Sequence, residues 1–140
     1  MDLNQLDKDL TGIIELRIKL TKFSYADPEY DDIEEALHDL EDDFNDTYGE
    51  DLERELEKIY DLLRSDNEVL LPSAYLANQY VPLKADSRGI VSYEVKGIQG
   101  VPIESEQFDG QDVRLVLISN PARLVMQING RSLKEVWRSR

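Results

Sequence analysis

The chain has 140 residues and carries 30 Asp and Glu against 16 Lys and Arg, a net charge of −14, with 41% hydrophobic residues. That length and hydrophobic share suit one globular domain with its own core and argue against disorder. The absence of cysteine excludes disulfides, thiolate nucleophiles, cysteine-ligated zinc fingers and iron–sulfur clusters.

The first helix is expected from about Asp2 to Phe23, with Asp2 as N-cap. Leu3, Leu6, Leu10, Ile13, Ile14, Leu16, Ile18, Leu20 and Phe23 cover well over half its circumference at 100° per residue. A helix packed on one side shows a narrower stripe. Helix 1 is therefore expected to be central, touching a helix and either the sheet or a second subunit.

Asp27 suits the N-cap of a second helix and Pro28 its first position. Tyr30, Ile33, Leu37, Leu40, Phe44 and Tyr48 recur at helical spacings as one apolar stripe. Leu52, Leu56, Ile59, Tyr60 and Leu63 form another, rotated by roughly a quarter turn. With Gly49 between them, the drift predicts a break or bend there and a third helix from Glu50 to Arg64. Ser65-Asp66-Asn67 ends the helical half. Val69, Leu70, Leu71, Tyr75, Leu76, Tyr80 and Val81 make the connector too apolar for a flexible linker, and a short helical turn is expected around Ser73 to Gln79.

The C-terminal half reads as β. Strands are expected at Ile90–Val95, near Val101–Ser105, and at Val113–Ser119, Ala122–Ile128 and Arg131–Trp137. Asn129-Gly130 is a strong type I′ hairpin signal. Pairing around it, and around Asn120-Pro121, gathers Val113, Leu115, Leu117, Leu124, Met126, Ile128, Leu133 and Trp137 on one face. The other face carries Arg114, Val116, Ile118, Arg123, Val125, Gln127, Ser132, Lys134 and Val136, a mixture suited to a sheet open to solvent or loosely covered. The expectation is one α+β domain over residues 1–140: antiparallel N-terminal helices, an acidic half over 1–66, packed on a C-terminal antiparallel β-meander of four to five strands over 67–140.

The charge is segregated. Residues 1–26 are neutral, residues 27–66 carry −15 and residues 67–140 carry +1. Such an anionic face repels nucleic-acid phosphates and attracts basic proteins or divalent cations. No apolar run approaches the ~20 residues a membrane helix needs, and Met1-Asp2-Leu3-Asn4-Gln5 lacks the basic, apolar start of a secretory signal. A cytoplasmic protein without membrane association is expected.

Chemical motifs fail one by one. Glu35 and His38 match the Glu-x-x-His element of di-iron bundles, but His38 is the only histidine and both residues lie opposite the apolar stripe. The acidic run from Asp42 to Asp51 fails as an EF-hand in either register. Anchoring Gly49 at loop position 6 puts Phe44 and Tyr48 at ligand positions, while anchoring Asp43 at position 1 puts Arg54 where a bidentate Glu is required. A Ser–His pair would depend wholly on His38, and no Gly-rich phosphate loop precedes a helix. No catalytic, cofactor-binding or metal-binding residue is assigned, and a non-enzymatic role is expected. Tyr30, Tyr48 and Tyr60 follow the apolar stripes as core residues, whereas Tyr75 and Tyr80 could present an amphipathic contact surface. Arg131, Lys134, Arg138 and Arg140 suit a contact, internal or between subunits, with the acidic helices.

The stretches Asp39 to Gly49 and Asn67 to Tyr80 resemble small acidic bacterial proteins of uncharacterised function, over about a fifth of the chain; the resemblance implies no activity and no site. The functional expectation is a protein-interaction module whose face of Asp31, Glu35, Asp39, Asp42 and Asp46, with Tyr75 and Tyr80, engages a basic protein. The alternatives are a small-molecule or enzymatic pocket between helix 1 and the sheet, and a structural homodimer through helix 1.

Overall fold

A computed structural model describes residues 1–139, apart from the side chains of Ser132 and Leu133. The expected placements of Ser132, Leu133 and Arg140 lie outside the described residues. Helix α1 runs Leu3–Leu20, and the Asp2 carboxylate caps it by accepting from the N–H groups of Asn4 and Gln5, each at 3.1 Å. That satisfies two of the four donors a helix start leaves unpaired.

Helix α2 runs unbroken over Tyr30–Leu62, 33 residues. The expected break at Gly49 and the separate third helix do not occur. Phe44, Tyr48, Leu52 and Leu56 are all buried, and each step of four residues advances the stripe by about 40°. The buried line therefore winds around a continuous helix as its neighbour changes from α1 to the connector. A mid-helix glycine costs about 1 kcal/mol, too little to interrupt a helix buried on both sides of it. The expected Asp27 cap is also corrected. The Asp27 carboxylate accepts from the Ser24 N–H at 2.7 Å, closing a turn before α2, and Glu29 takes the cap position.

A 3₁₀ turn spans Pro72–Tyr75 in the connector. Strands β1 (Tyr80–Pro82) and β2 (Tyr93–Val95) form a two-stranded antiparallel ribbon. The expected Ile90–Val95 strand is thus shorter, and its partner comes from the connector. Strands β3 (Val101–Ile103), β4 (Val113–Ile118), β5 (Arg123–Ile128) and β6 (Arg131–Arg138) form the antiparallel meander in sequence order. Asn129 and Gly130 take φ of 53° and 83°, as a type I′ turn demands. Around Asn120-Pro121, Val113 pairs with Ile128, Leu115 with Met126 and Leu117 with Leu124, the expected register. Two shifts between β5 and β6 set Met126 opposite Lys134 and Leu124 opposite Trp137.

The second face of the sheet is covered, not open. Val116, Ile118, Val125 and Gln127 are buried. Residues 91–99 lie across them: the Gln127 side chain accepts from the Gln99 N–H at 3.0 Å and donates to the Gly97 carbonyl at 3.3 Å, and Arg123 donates to the Tyr93 carbonyl at 3.1 Å. Two of the polar residues that made this face look solvated, Arg123 and Gln127, bond to the backbone of the covering loop. On the other face, Leu115, Leu117, Leu124 and Met126 join Leu6, Leu10, Ile13, Ile14, Phe44 and Leu52 in one contiguous core. Among the described residues no helix is long and apolar enough to cross a membrane.

Candidate functional site

The stripe that α2 buries leaves the opposite side of a 33-residue helix to water, and acids occupy it. Asp31, Asp32, Glu35, Asp39, Asp42, Asp43, Asp46, Glu50, Glu53, Glu57 and Asp61 are exposed. Among the described residues, bases meet only the acids at the margins. Arg54 pairs with Asp51, Lys58 with Glu55 at 3.5 Å, and the chain's amino terminus with Asp51 at 3.9 Å. Among the described residues none of the eleven exposed acids has an ion pair.

The five carboxylates expected to form an interaction face, Asp31, Glu35, Asp39, Asp42 and Asp46, all project to solvent from one side of α2. Fifteen residues of helix separate the first from the last, about 22 Å. Tyr75 and Tyr80 do not join them. Tyr75 is wholly buried and Tyr80 is 6% exposed. The Tyr75 hydroxyl lies 2.6 Å from that of Tyr60 and accepts from the Leu70 N–H. The Tyr80 hydroxyl donates to the Leu117 carbonyl at 2.6 Å and accepts from the Ala77 N–H. Each phenol satisfies backbone that secondary structure leaves unpaired, so the amphipathic character was internal. Burial raises the Tyr80 phenol well above its ordinary value, as it does Tyr60, where the hydrogen bond with Tyr75 adds to it.

Among the described residues, Arg131, Lys134 and Arg138 make no ion pair with α2 either. Arg138 pairs with Glu135 on its own strand at 2.9 Å, and Arg131 and Lys134 are exposed. Arg17 of α1 does reach α2, donating to Glu41 at 2.7 Å and to the Ala77 carbonyl at 2.7 Å. Sequence reasoning placed no role on it, because the pairing depends on where the connector returns.

The same pair borders an open cavity of about 430 Å³ with Phe23, Tyr25, Tyr30 and His38. His38 is exposed there. A second feature lies beside the acids. Asn45 holds Ser73 by two hydrogen bonds, donating to its hydroxyl at 2.9 Å and accepting from its N–H at 3.0 Å. This anchors the connector along α2, with two open cavities of about 340 and 390 Å³ in the seam. The apolar Val69-Leu70-Leu71-Pro72 run was its only signal in the sequence.

Among the described residues no three Asp, Glu or His side chains converge as a metal-ligating group. Searches against protein-family models, curated proteins and solved structures return no match to the chain.

Proposed function

We propose that the protein is a non-enzymatic interaction module that engages a basic protein partner through the acidic side of α2. One observation carries the reading: Asp31, Glu35, Asp39, Asp42 and Asp46 stand exposed on one side of a rigid helix, with no ion pair among the described residues. A uniform field of this kind steers an oppositely charged partner and accelerates encounter, with an effect that salt screens. The opposing side of α2 is fixed in the core, so the charges are held in place before any partner arrives.

The test compares affinity capture of basic proteins by the natural chain and by a variant with Asp31→Asn, Glu35→Gln, Asp39→Asn, Asp42→Asn and Asp46→Asn together. Retention at low salt that is lost at high salt, and lost in the variant at either salt, supports the reading. Equal retention by the two chains, or none at low salt, overturns it.

The alternative of a pocket between α1 and the sheet gains little support. Asp7 is the carboxylate that turns inward there, and it is engaged with the backbone N–H of Ala122 and the Ser139 hydroxyl.

A further inference from the structure

Past the end of α2 the chain reverses and runs back beside the helix. Residues 66–73 lie between the helix terminus and the Asn45–Ser73 clamp. Seven extended steps reach about 23 Å, and α2 from Asn45 to Leu62 measures about 26 Å. The two lengths agree, so the connector lies nearly straight and antiparallel to the C-terminal half of the helix.

The seam between them is a groove of two chemistries. One lip is apolar: Val69 is half-buried, while Leu70 is 46% and Leu71 63% exposed. The other lip carries Asp46, Glu50, Glu53 and Glu57 from α2. Glu53 and Val69 line both of its cavities, which makes it one continuous feature. The connector is fixed by Asn45 at one end, by the Leu70 N–H on the Tyr75 hydroxyl in the middle, and by Asn67 accepting from the Glu104 N–H at the other. A preformed lip loses little entropy on binding.

We propose that this groove takes an amphipathic basic helix of a protein partner, its apolar side on Leu70 and Leu71 and its Lys or Arg side chains along Asp46, Glu50, Glu53 and Glu57. The inference rests on the acidic-surface reading above and adds the apolar anchor to it. Charge complementarity names the partner's polar side, and the exposed leucines name the other. Pitch favours a helix over a strand. The four acids recur every three to four residues, about 5.4 Å per turn, which a second helix matches. Same-side residues of an extended strand recur at about 6.6 Å and drift out of step. A groove of about 24 Å accommodates some 16 helical residues.

The experiment titrates the full chain with two synthetic 16-residue peptides at low salt. One has lysine and leucine at amphipathic helical spacing; the other is identical except that every leucine is glutamine. The leucine peptide is expected to bind at least tenfold more tightly, and Leu70→Ser with Leu71→Ser is expected to abolish that advantage while leaving the glutamine peptide's affinity unchanged. Both leucine side chains reach solvent, so the variant should keep its fold, verified by an unchanged circular dichroism spectrum. Equal affinities for the two peptides, or an advantage that survives the double substitution, overturns the groove while the acidic surface stands. Failure of both peptides to bind removes the acidic-surface reading as well.

Discussion

The carboxylate of Asp7, in the second turn of α1, accepts a hydrogen bond from the backbone N–H of Ala122 and another from the Ser139 hydroxyl. One side chain thus ties the first helix to the β4–β5 turn and to the end of the chain, where the Ser139 N–H also reaches the Ala122 carbonyl at 2.9 Å. Asp7 is 4% exposed, so its removal leaves buried donors without an acceptor. Asp7→Ala should destabilise the fold by about 2–3 kcal/mol. Asp7→Asn, which keeps one acceptor oxygen, should cost about half as much. Urea unfolding reads both, and equal losses would show that the carboxylate's charge and second acceptor oxygen, not its shape, hold the turn.

Arg17 performs a comparable task at the other end of α1. Its guanidinium reaches Glu41 on α2 and the Ala77 carbonyl, and the two side chains are only 18% and 14% exposed. Removing one partner from so shielded a pair strands the other. Glu41→Gln and Arg17→Met should each cost about 1–3 kcal/mol, with a coupling energy of about 1 kcal/mol or more in the double-mutant cycle. Arg17→Lys should recover only part, because an ammonium cannot serve both acceptors with the geometry of a planar fork. Additive single and double losses would mean the pair is a surface contact of no consequence.

Gly49 sits inside α2, and a Cβ added there meets nothing within 4 Å. Gly49→Ala should therefore stabilise the protein by about 0.5–1 kcal/mol. Just past the helix, Arg64 takes φ of 52°, the left-handed conformation that glycine occupies most readily, and the Ser65 N–H returns to the Tyr60 carbonyl at 3.0 Å. Arg64→Gly should add about 1 kcal/mol. The two sites lie far apart along the helix, so the gains should sum in thermal unfolding. Destabilisation by Gly49→Ala would point to a bend that the continuous helix does not have.

What the sequence made legible follows the reach of each physical rule. Asp2 as a cap, the Asn129-Gly130 hairpin and the β4–β5 register are local or two-strand decisions, and all three are realised. Gly49 misled because periodicity records which residues are apolar, not which neighbour they face; a winding stripe and a broken helix look alike at that level. Tyr75 and Tyr80 misled for a related reason. A phenol is amphipathic whether its hydroxyl meets a partner protein or the Leu117 carbonyl, and only the return path of the connector decides. The covered second face of the sheet needed the same long-range information, since Gln127 finds its partners near residue 98. The acidic stripe was legible because charge segregation needs no tertiary knowledge. Its groove was not, because the second lip lies beyond the helix end.

Gly100 joins that covering loop to β3, at φ of 91°. A Cβ there would stand 2.2 Å from the Leu115 carbonyl oxygen, a backbone atom of the central sheet that cannot move aside. Gly100→Ala combines this clash with a left-handed backbone that alanine resists, and should destabilise by about 3 kcal/mol or more. Gly110→Ala shares the positive φ, 78°, but its added Cβ meets nothing, so it should cost about 1 kcal/mol. Comparable losses at the two positions in urea unfolding would remove the close approach as the cause.

Alkaline titration examines the tyrosines as a group. Burial lifts the phenols of Tyr48, Tyr60 and Tyr80 well above the ordinary value; the neighbouring Asp9 carboxylate, 2.6 Å from the Tyr48 hydroxyl, adds to the first. In the unfolded chain a phenol ionises near pH 10. Between that value and the higher folded ones, the unfolded chain gives up protons that the fold retains. The associated stability is complete below about pH 10 and is lost as the pH climbs toward the folded-state values. Tyrosinate absorbance should therefore rise in two stages, the later one coinciding with loss of the helical circular dichroism signal. Tyr48→Phe should remove one phenol from that later stage, since phenylalanine has no hydroxyl to ionise, and it leaves the Asp9 carboxylate with the Gln5 amide at 2.9 Å. Ionisation of all seven tyrosines near pH 10 with the helices intact would contradict the buried network that joins α1, α2 and the connector.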